Sequence, residues 1–175
     1  MDLKEYIRSI PDYPKKGILF RDITTLIKNE KAFTYCIDQI VKKSKQFQFN
    51  KIAAVESRGF VFASAVSYIL NKPFILLRKK NKLPAETHSI DFELEYGTGS
   101  IEVHKDSINK KDSVIIIDDL VATGGTGDAA AKLIKISGGK VAGFIFVINL
   151  FDIGGCNKLI QQGYKVENLI NFPGH

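Results

Sequence analysis

The chain has no tryptophan, one methionine and only two cysteines in 175 residues. Cys36 and Cys156 cannot supply a disulfide framework, and two free thiols fit a reducing cytoplasm, which is the expected location. No apolar run reaches the roughly 18 residues that a membrane span needs. The opening residues, Met1 to Tyr6, lack the basic-then-apolar pattern of a secretory signal. Internal repeats, low-complexity stretches and Ser/Gly-rich linkers are all missing, so the expectation is a single domain over residues 1–175 with one sizeable core.

Arginine is scarce as well. The formal charge is +6, yet only four of the 25 basic residues are arginine: Arg8, Arg21, Arg58 and Arg78. The lysines are scattered in short pairs such as Lys42-Lys43 and Lys79-Lys80, without a basic helix face carrying interleaved aromatics. That argues against a nucleic-acid surface. Guanidinium is hard to replace where planar, bidentate phosphate binding is required, and three of the four arginines fall inside candidate sites. His88, His104 and His175 form no metal-ligand spacing, and no Ser-His or Cys-His nucleophile is legible.

What is present reads as alternating strands and helices. Residues 2–10 suggest a short helix stopped by the turn Pro11 to Pro14. Asn29 is a plausible N-cap for a helix carrying Phe33, Ile37, Ile40 and Val41 on one face. Apolar runs at 51–56, 74–77, 113–117, 141–148 and 164–170 are candidate buried strands, with helices expected over 59–70, 126–137 and 156–162. Residues 79–89 look like a long mobile loop. Residues 90–95 and 100–104 alternate as a half-exposed hairpin would. Apolar strands alternating with helices predict an α/β fold, a mainly parallel sheet with helices on both faces and ligands beyond the strands' carboxyl ends.

The most informative segment is residues 114–126. Four apolar residues, Val114 to Ile117, lead to the adjacent carboxylates Asp118 and Asp119. Ala122, Thr123, Gly124, Gly125 and Thr126 then enter a helix. Glycines let backbone N–H groups approach an anion, the threonines add hydroxyl donors, and a helix N-terminus favours negative charge. Two carboxylates beside a phosphate would repel it unless they address hydroxyls or a bound cation, and a sugar phosphate satisfies both demands. Residues 125–130 formally match a dinucleotide fingerprint, but its first glycine belongs at the tight turn leaving the strand, and here residues 118–124 intervene. A Walker loop is excluded because no Gly-Lys-Ser/Thr occurs.

This run resembles the phosphoribosyl-diphosphate signature of the type I phosphoribosyltransferases. The resemblance implies that Ala122 to Thr126 hold a 5-phosphate and that Asp118 and Asp119 contact the ribose 2- and 3-hydroxyls. It further implies Mg²⁺ as cofactor, held mainly by the substrate diphosphate with no direct protein ligand. Residues 55–60, with Ser57 and Arg58 at a second strand end, resemble the family's diphosphate-binding loop, and Arg78, Lys79 and Lys82 supply further positive charge. Such cations stabilise a leaving diphosphate most when closure excludes water.

Segments 14–24, 78–84, 94–97, 148–155 and 172–175 together resemble the adenine-specific branch, in order and across nearly the whole chain. Lys16 departs from the proline common there. The resemblance implies that Leu19, Phe20 and Arg21 line a purine pocket within a small N-terminal hood of about residues 1–25. It also implies that Tyr96 closes that pocket, and that Glu95 manages the imidazole proton at N7 as N9 becomes glycosidic. Taken alone, Phe20 reads as a core aromatic, Arg21 as an exposed charge and Glu95 as one acid among several.

The expected activity is transfer of 5-phosphoribosyl from 5-phosphoribosyl 1-diphosphate to adenine by a homodimer, with neither nucleic acid nor membrane as partner. The alternatives are a phosphoribosyltransferase for another purine and a non-enzymatic regulator sensing the sugar diphosphate.

Overall fold

Val114, Ile115, Ile116 and Ile117 are all buried, and they alternate between two cores. Ile115 and Ile117 face one cluster, Val114 and Ile116 the other, as the two-residue period of a strand covered on both faces requires. The computed structural model describes residues 1–93 and 98–174. Among them the strands are β1 (Arg8–Pro11), β2 (Leu19–Asp22), β3 (Lys51–Val55), β4 (Phe74–Lys79), β5 (Thr87–Glu93), β6 (Thr98–His104), β7 (Ser113–Val121), β8 (Lys140–Leu150) and β9 (Val166–Phe172). The helices are α1 (Thr24–Ile27), α2 (Glu30–Ser44), α3 (Arg58–Leu70), α4 (Gly125–Ile136) and α5 (Gly155–Gln161).

One sheet of seven strands runs in the order β5-β6-β4-β3-β7-β8-β9. The pairs β4–β3, β3–β7, β7–β8 and β8–β9 are parallel, whereas β4–β6 and β5–β6 are antiparallel. The expected α/β architecture is therefore present. From β3 the chain crosses through α3 to β4 on one side, and from β7 it crosses through α4 to β8 on the other. The carboxyl ends of β3 and β7 thus flank the point where winding reverses, the usual place for a ligand in such sheets.

Helix α2 starts where expected, with Asn29 Oδ1 accepting from the Ala32 backbone at 3.0 Å. Three expectations need correction. Residues 2–10 are not a single helix: a 3₁₀ turn at Leu3–Tyr6 gives way to β1, which pairs antiparallel with β2. Pairing with a distant strand outweighs local helical preference there. Strand β7 does not stop before the acids but continues through both, because Asp118, Leu120 and Val121 pair with Phe146, Ile148 and Asn149 of β8. The expected loop at 79–89 is shorter, since Thr87 to Ser89 pair with Glu102 to His104. Its remainder is pinned, with Asn81 N donating to Glu102 Oε2 at 3.1 Å and Ala85 N to His104 Nε2 at 3.3 Å.

Candidate active site

Two cavities open at the carboxyl edge of the sheet. The first, about 430 Å³, is lined by residues 55–58, Lys79, 118–127 and Phe146. It gathers most of the expected phosphate and ribose residues: Ser57, Arg58, Lys79, Asp118, Asp119 and the whole of Ala122 to Thr126. The second, about 270 Å³, is lined by residues 16–21 together with Arg58, Leu120, Ala122, Leu150, Ile153 and Gly174. It contains Leu19, Phe20 and Arg21, the expected base residues. Arg58, Leu120 and Ala122 border both cavities.

The acidic pair sits near the end of β7, facing the start of α3. Asp118 Oδ1 accepts the Asp119 backbone N–H at 2.9 Å. A Cβ on Gly59 would overlap the Asp118 carboxylate, so a residue without a side chain is needed where α3 begins. Arg58 Nε lies 2.9 Å from Asp119 Oδ2, but off the hydrogen-bonding direction, so this buried oxygen has an ionic neighbour and no aligned donor. Burial pushes the Asp118 carboxyl well above the usual carboxylate range, and the adjacent Asp119 charge adds to this. Burial raises Asp119 as well, opposed by Arg58. A buried pair of this kind favours ligands that bring hydroxyl donors or positive charge.

Arg58 also lies over the Phe20 ring, its guanidinium carbon 5.5 Å from the centroid. One side chain therefore spans from the carboxylates to the hood. Phe20 is held edge-on by Tyr13, with ring centroids 5.1 Å apart. Arg21 is buried rather than exposed, a correction to its isolated sequence reading. Its Nη1 donates to Ser9 Oγ, across the β1–β2 pair, and its Nη2 to the Pro173 carbonyl at 2.8 Å. Arg78 Nε donates to Glu56 Oε2 at 2.7 Å, and its Nη1 reaches the Lys82 carbonyl at 3.4 Å. Neither Arg78 nor Lys82 is among the residues lining the two cavities. Glu95 and Tyr96 lie outside the described residues. No group of three or more His, Cys, Asp or Glu side chains among the described residues is placed to hold a metal ion.

Residues 23–169 match the family model of the phosphoribosyl transferase domain. The chain is 73% identical to an adenine phosphoribosyltransferase of Pelagibacter ubique over the full length of both. The chain belongs to the phosphoribosyltransferase family. A second relative, an adenine phosphoribosyltransferase of Escherichia coli O157:H7, is 49% identical over 99% of this chain and 94% of its own. Among solved structures, the adenine phosphoribosyltransferase of Thermoanaerobacter pseudethanolicus superposes with a TM-score of 0.93 at 48% identity, covering 97% of this chain and 98% of that one.

This phosphoribosyltransferase supports its Ala122–Thr126 loop from below with a glycine pair that the sequence reading left without a role. Gly124 adopts the left-handed conformation, φ +80°, just before α4. A Cβ there would meet the Gly155 carbonyl at 2.9 Å. Gly155 in turn donates its N–H to the Ala122 carbonyl at 2.9 Å, and a Cβ on it would overlap that carbonyl and lie 2.6 Å from Gly124 N. Two backbones thus touch where no side chain fits. The adjacent glycines after the apolar run of β8 were the available signal, but their partner loop lies some thirty residues away in sequence. Leu120, Leu150, Ile153 and Gly174 went unrecognised because they meet only in the folded chain.

Proposed function

We propose that this chain is a purine-salvage enzyme that transfers 5-phosphoribosyl from 5-phosphoribosyl 1-diphosphate to adenine, giving AMP and diphosphate. The observation that carries the reading is the contiguity of a phosphate-and-carboxylate cavity with a smaller hood cavity, joined at Arg58, Leu120 and Ala122. A reacting base and sugar held in adjoining cavities are positioned for attack, which removes much of the entropic barrier.

In this reading the loop Ala122 to Thr126 binds the 5-phosphate at the start of α4, and Asp118 and Asp119 accept from the ribose hydroxyls. Asp119 Oδ2, which has Arg58 as an ionic neighbour but no aligned donor, supports that assignment, because a hydroxyl donor would satisfy it. Ser57, Arg58 and Lys79 bind the diphosphate, with Arg78 and Lys82 joining from the loop that follows β4. Leu19 and Phe20 hold the purine, assisted by Arg21 and covered by Tyr96. N9 attacks C1 as the bond from C1 to the diphosphate oxygen breaks, with inversion, and Glu95 relays the imidazole proton through N7. The carboxylate pair fits a substrate-borne Mg²⁺, since both acids face the same cavity as the diphosphate residues. When bound, Mg²⁺ supplies neutralising charge on the diphosphate. Closure of the segment 79–89 excludes water, which would otherwise hydrolyse the sugar diphosphate.

The proposal extends to a single cytoplasmic domain with a hood at about residues 1–25, and to a homodimer. Tyr68 is 88% exposed, and Ile69 at the end of α3 and Leu76 on β4 are exposed as well, apolar side chains that a second copy would cover. The deciding experiment compares adenine, hypoxanthine and guanine with the sugar diphosphate and Mg²⁺, following nucleotide formation. AMP formation should dominate. Faster turnover of an oxopurine would overturn the substrate, and no turnover of any base would leave a sensor.

A further inference from the structure

The hood cavity is closed on one side by residues far away in sequence. Gly174 is buried and lines it beside Ile153, and a Cβ on Gly174 would lie 2.5 Å from two Ile153 side-chain carbons. Segment 172–174 reaches this position through a set of defined holds. Phe172 is the last residue of β9, and its carbonyl accepts from Phe151 N at 3.1 Å. Gly174 N donates to Asp152 Oδ1 at 2.6 Å. The buried Arg21 places its guanidinium 4.4 Å over the Phe172 ring and donates to the Pro173 carbonyl at 2.8 Å. The same guanidinium also donates to Ser9 Oγ on β1.

Arg21 is thus covered on one face by the Phe172 ring and occupied at both terminal nitrogens by protein groups, while its buried Nε has no partner among the described residues. A buried guanidinium committed in this way has little freedom to turn toward a ligand, and the lowering of its pKa by burial fits a group enclosed by protein. Asp152, by contrast, is exposed and is not among the residues lining the hood cavity, yet it fixes Gly174, which is. The two side chains hold one segment, one from within the hood and one from the turn after β8, and the Asp152 charge acts on Arg21 as well.

We propose that Arg21 and Asp152 are positioning residues that clamp segment 172–174 as the outer wall of the base cavity, and that this wall sets affinity for the purine without touching the sugar diphosphate. The proposal rests on the reading of residues 19–21 as the base site. It places specificity partly in the backbone at Pro173 and Gly174, and gives Arg21 a role distinct from direct contact with the base.

The test is a kinetic cycle with Arg21→Met, Asp152→Ala and the double variant, measuring kcat and both KM values, with Phe20→Ala as control. Each single variant should raise the adenine KM by about tenfold, the size expected when one pocket wall is misplaced. For Asp152→Ala, which lines neither cavity, the kcat and the KM for the sugar diphosphate should stay within about twofold of the parent, because uniform base binding alone is lost. The double variant should be no worse than the more damaged single, since one segment is released only once. The chain has no tryptophan, so Phe172→Trp provides a single emitter under Arg21, and its emission should shift red when either clamp residue is removed. If Arg21→Met fails to fold, Arg21→Lys should give the same adenine-selective change in smaller measure. An Asp152→Ala enzyme with unchanged adenine KM beside a damaged Arg21→Met enzyme would overturn the clamp and make Arg21 a direct base contact. Equal rises in both KM values would overturn it as well. If Phe20→Ala leaves the adenine KM unchanged, the base-site reading itself falls and takes the clamp with it.

Discussion

The two cavities are built in opposite ways. The phosphate-and-carboxylate side draws ten of its lining positions from one uninterrupted stretch, residues 118–127, where a strand ends, a loop turns and a helix begins. The hood side is assembled from residues 16–21, one arginine at the start of α3, the end of β7, the end of β8 with its following turn, and Gly174. In the proposed reading the first side works chiefly through backbone N–H groups and charge, the second through shape. A local backbone site can therefore be broken by a single atom at its support, whereas a composite wall should yield in degrees.

The largest effect should come from neutralising the local side. Asp118→Asn with Asp119→Asn should lower turnover by about a thousandfold or more, the scale seen when preorganised electrostatic groups are removed. Stability should move the other way. Both acids have folded-state pKa values raised mainly by burial. Their ionisation therefore costs stability as pH rises past the ordinary carboxylate range, and asparagine removes that cost at neutral pH. Thermal melts should show an unchanged or higher Tm beside the lost activity. A variant that retains near-normal turnover would sink the ribose assignment and with it the contrast between the two sides.

Glu95→Ala comes next, with an expected fall in kcat of roughly a hundredfold if proton management is its role. Pre-steady-state nucleotide formation is the measurement, because loss of a group that manages the base proton should slow the chemical step rather than weaken either substrate alone. A change confined to the adenine KM would move Glu95 to the hood side of the comparison.

Gly155→Ala is the sharper probe of local design. The added Cβ would overlap the Ala122 carbonyl and crowd Gly124 N, so the loop must shift. A displacement of about 1 Å can cost on the order of a hundredfold. The KM for the sugar diphosphate should rise while the adenine KM changes little. If adenine suffers equally, Ala122 and Leu120, which border both cavities, transmit the shift, and the two sides are less separate than their construction implies.

The same contrast governs what the sequence alone could reveal. The parallel sheet was legible because buried strands such as 114–117 and 51–55 are continuous apolar runs, and their faces need no partner to be recognised. Asp118 to Thr126 were legible as one candidate site because they are consecutive, and they line one cavity. The hood was not. Arg8 to Ile10 read as helix because their pairing with Phe20 to Asp22 is tertiary. Arg21 read as exposed because its partners, Phe172 and Pro173, lie about 150 residues away. Gly155 stood in the sequence only as the last residue of segment 148–155, because its packing depends on Ala122 and Gly124 lying directly against it.

The smallest effect is expected at the foot of the hood, where acid should loosen β1 from β2. Arg8 and Asp22 form an ion pair across this hairpin, at register partners of the two strands. Hydrogen bonding from Thr24, with Arg8 contributing, holds the Asp22 carboxyl down at about 2. A carboxylate depressed in the folded state stabilises it above its unfolded pKa, and that contribution is lost as pH falls from about 4 toward 2. Arg8 is 57% exposed at its side chain, so Arg8→Ala at neutral pH should cost under about 1 kcal/mol. Asp22→Asn should cost more, because the Thr24 backbone N–H donates to Asp22 Oδ1 at 2.9 Å and loses a charged acceptor. Chemical denaturation at pH 7 and pH 3 separates the two. The Asp22→Asn penalty should shrink at the lower pH, where the parent carboxylate has itself begun to protonate. A penalty equal at both pH values would mean that packing, not charge, fastens the hood, and would place this corner too among the shape-built parts of the molecule.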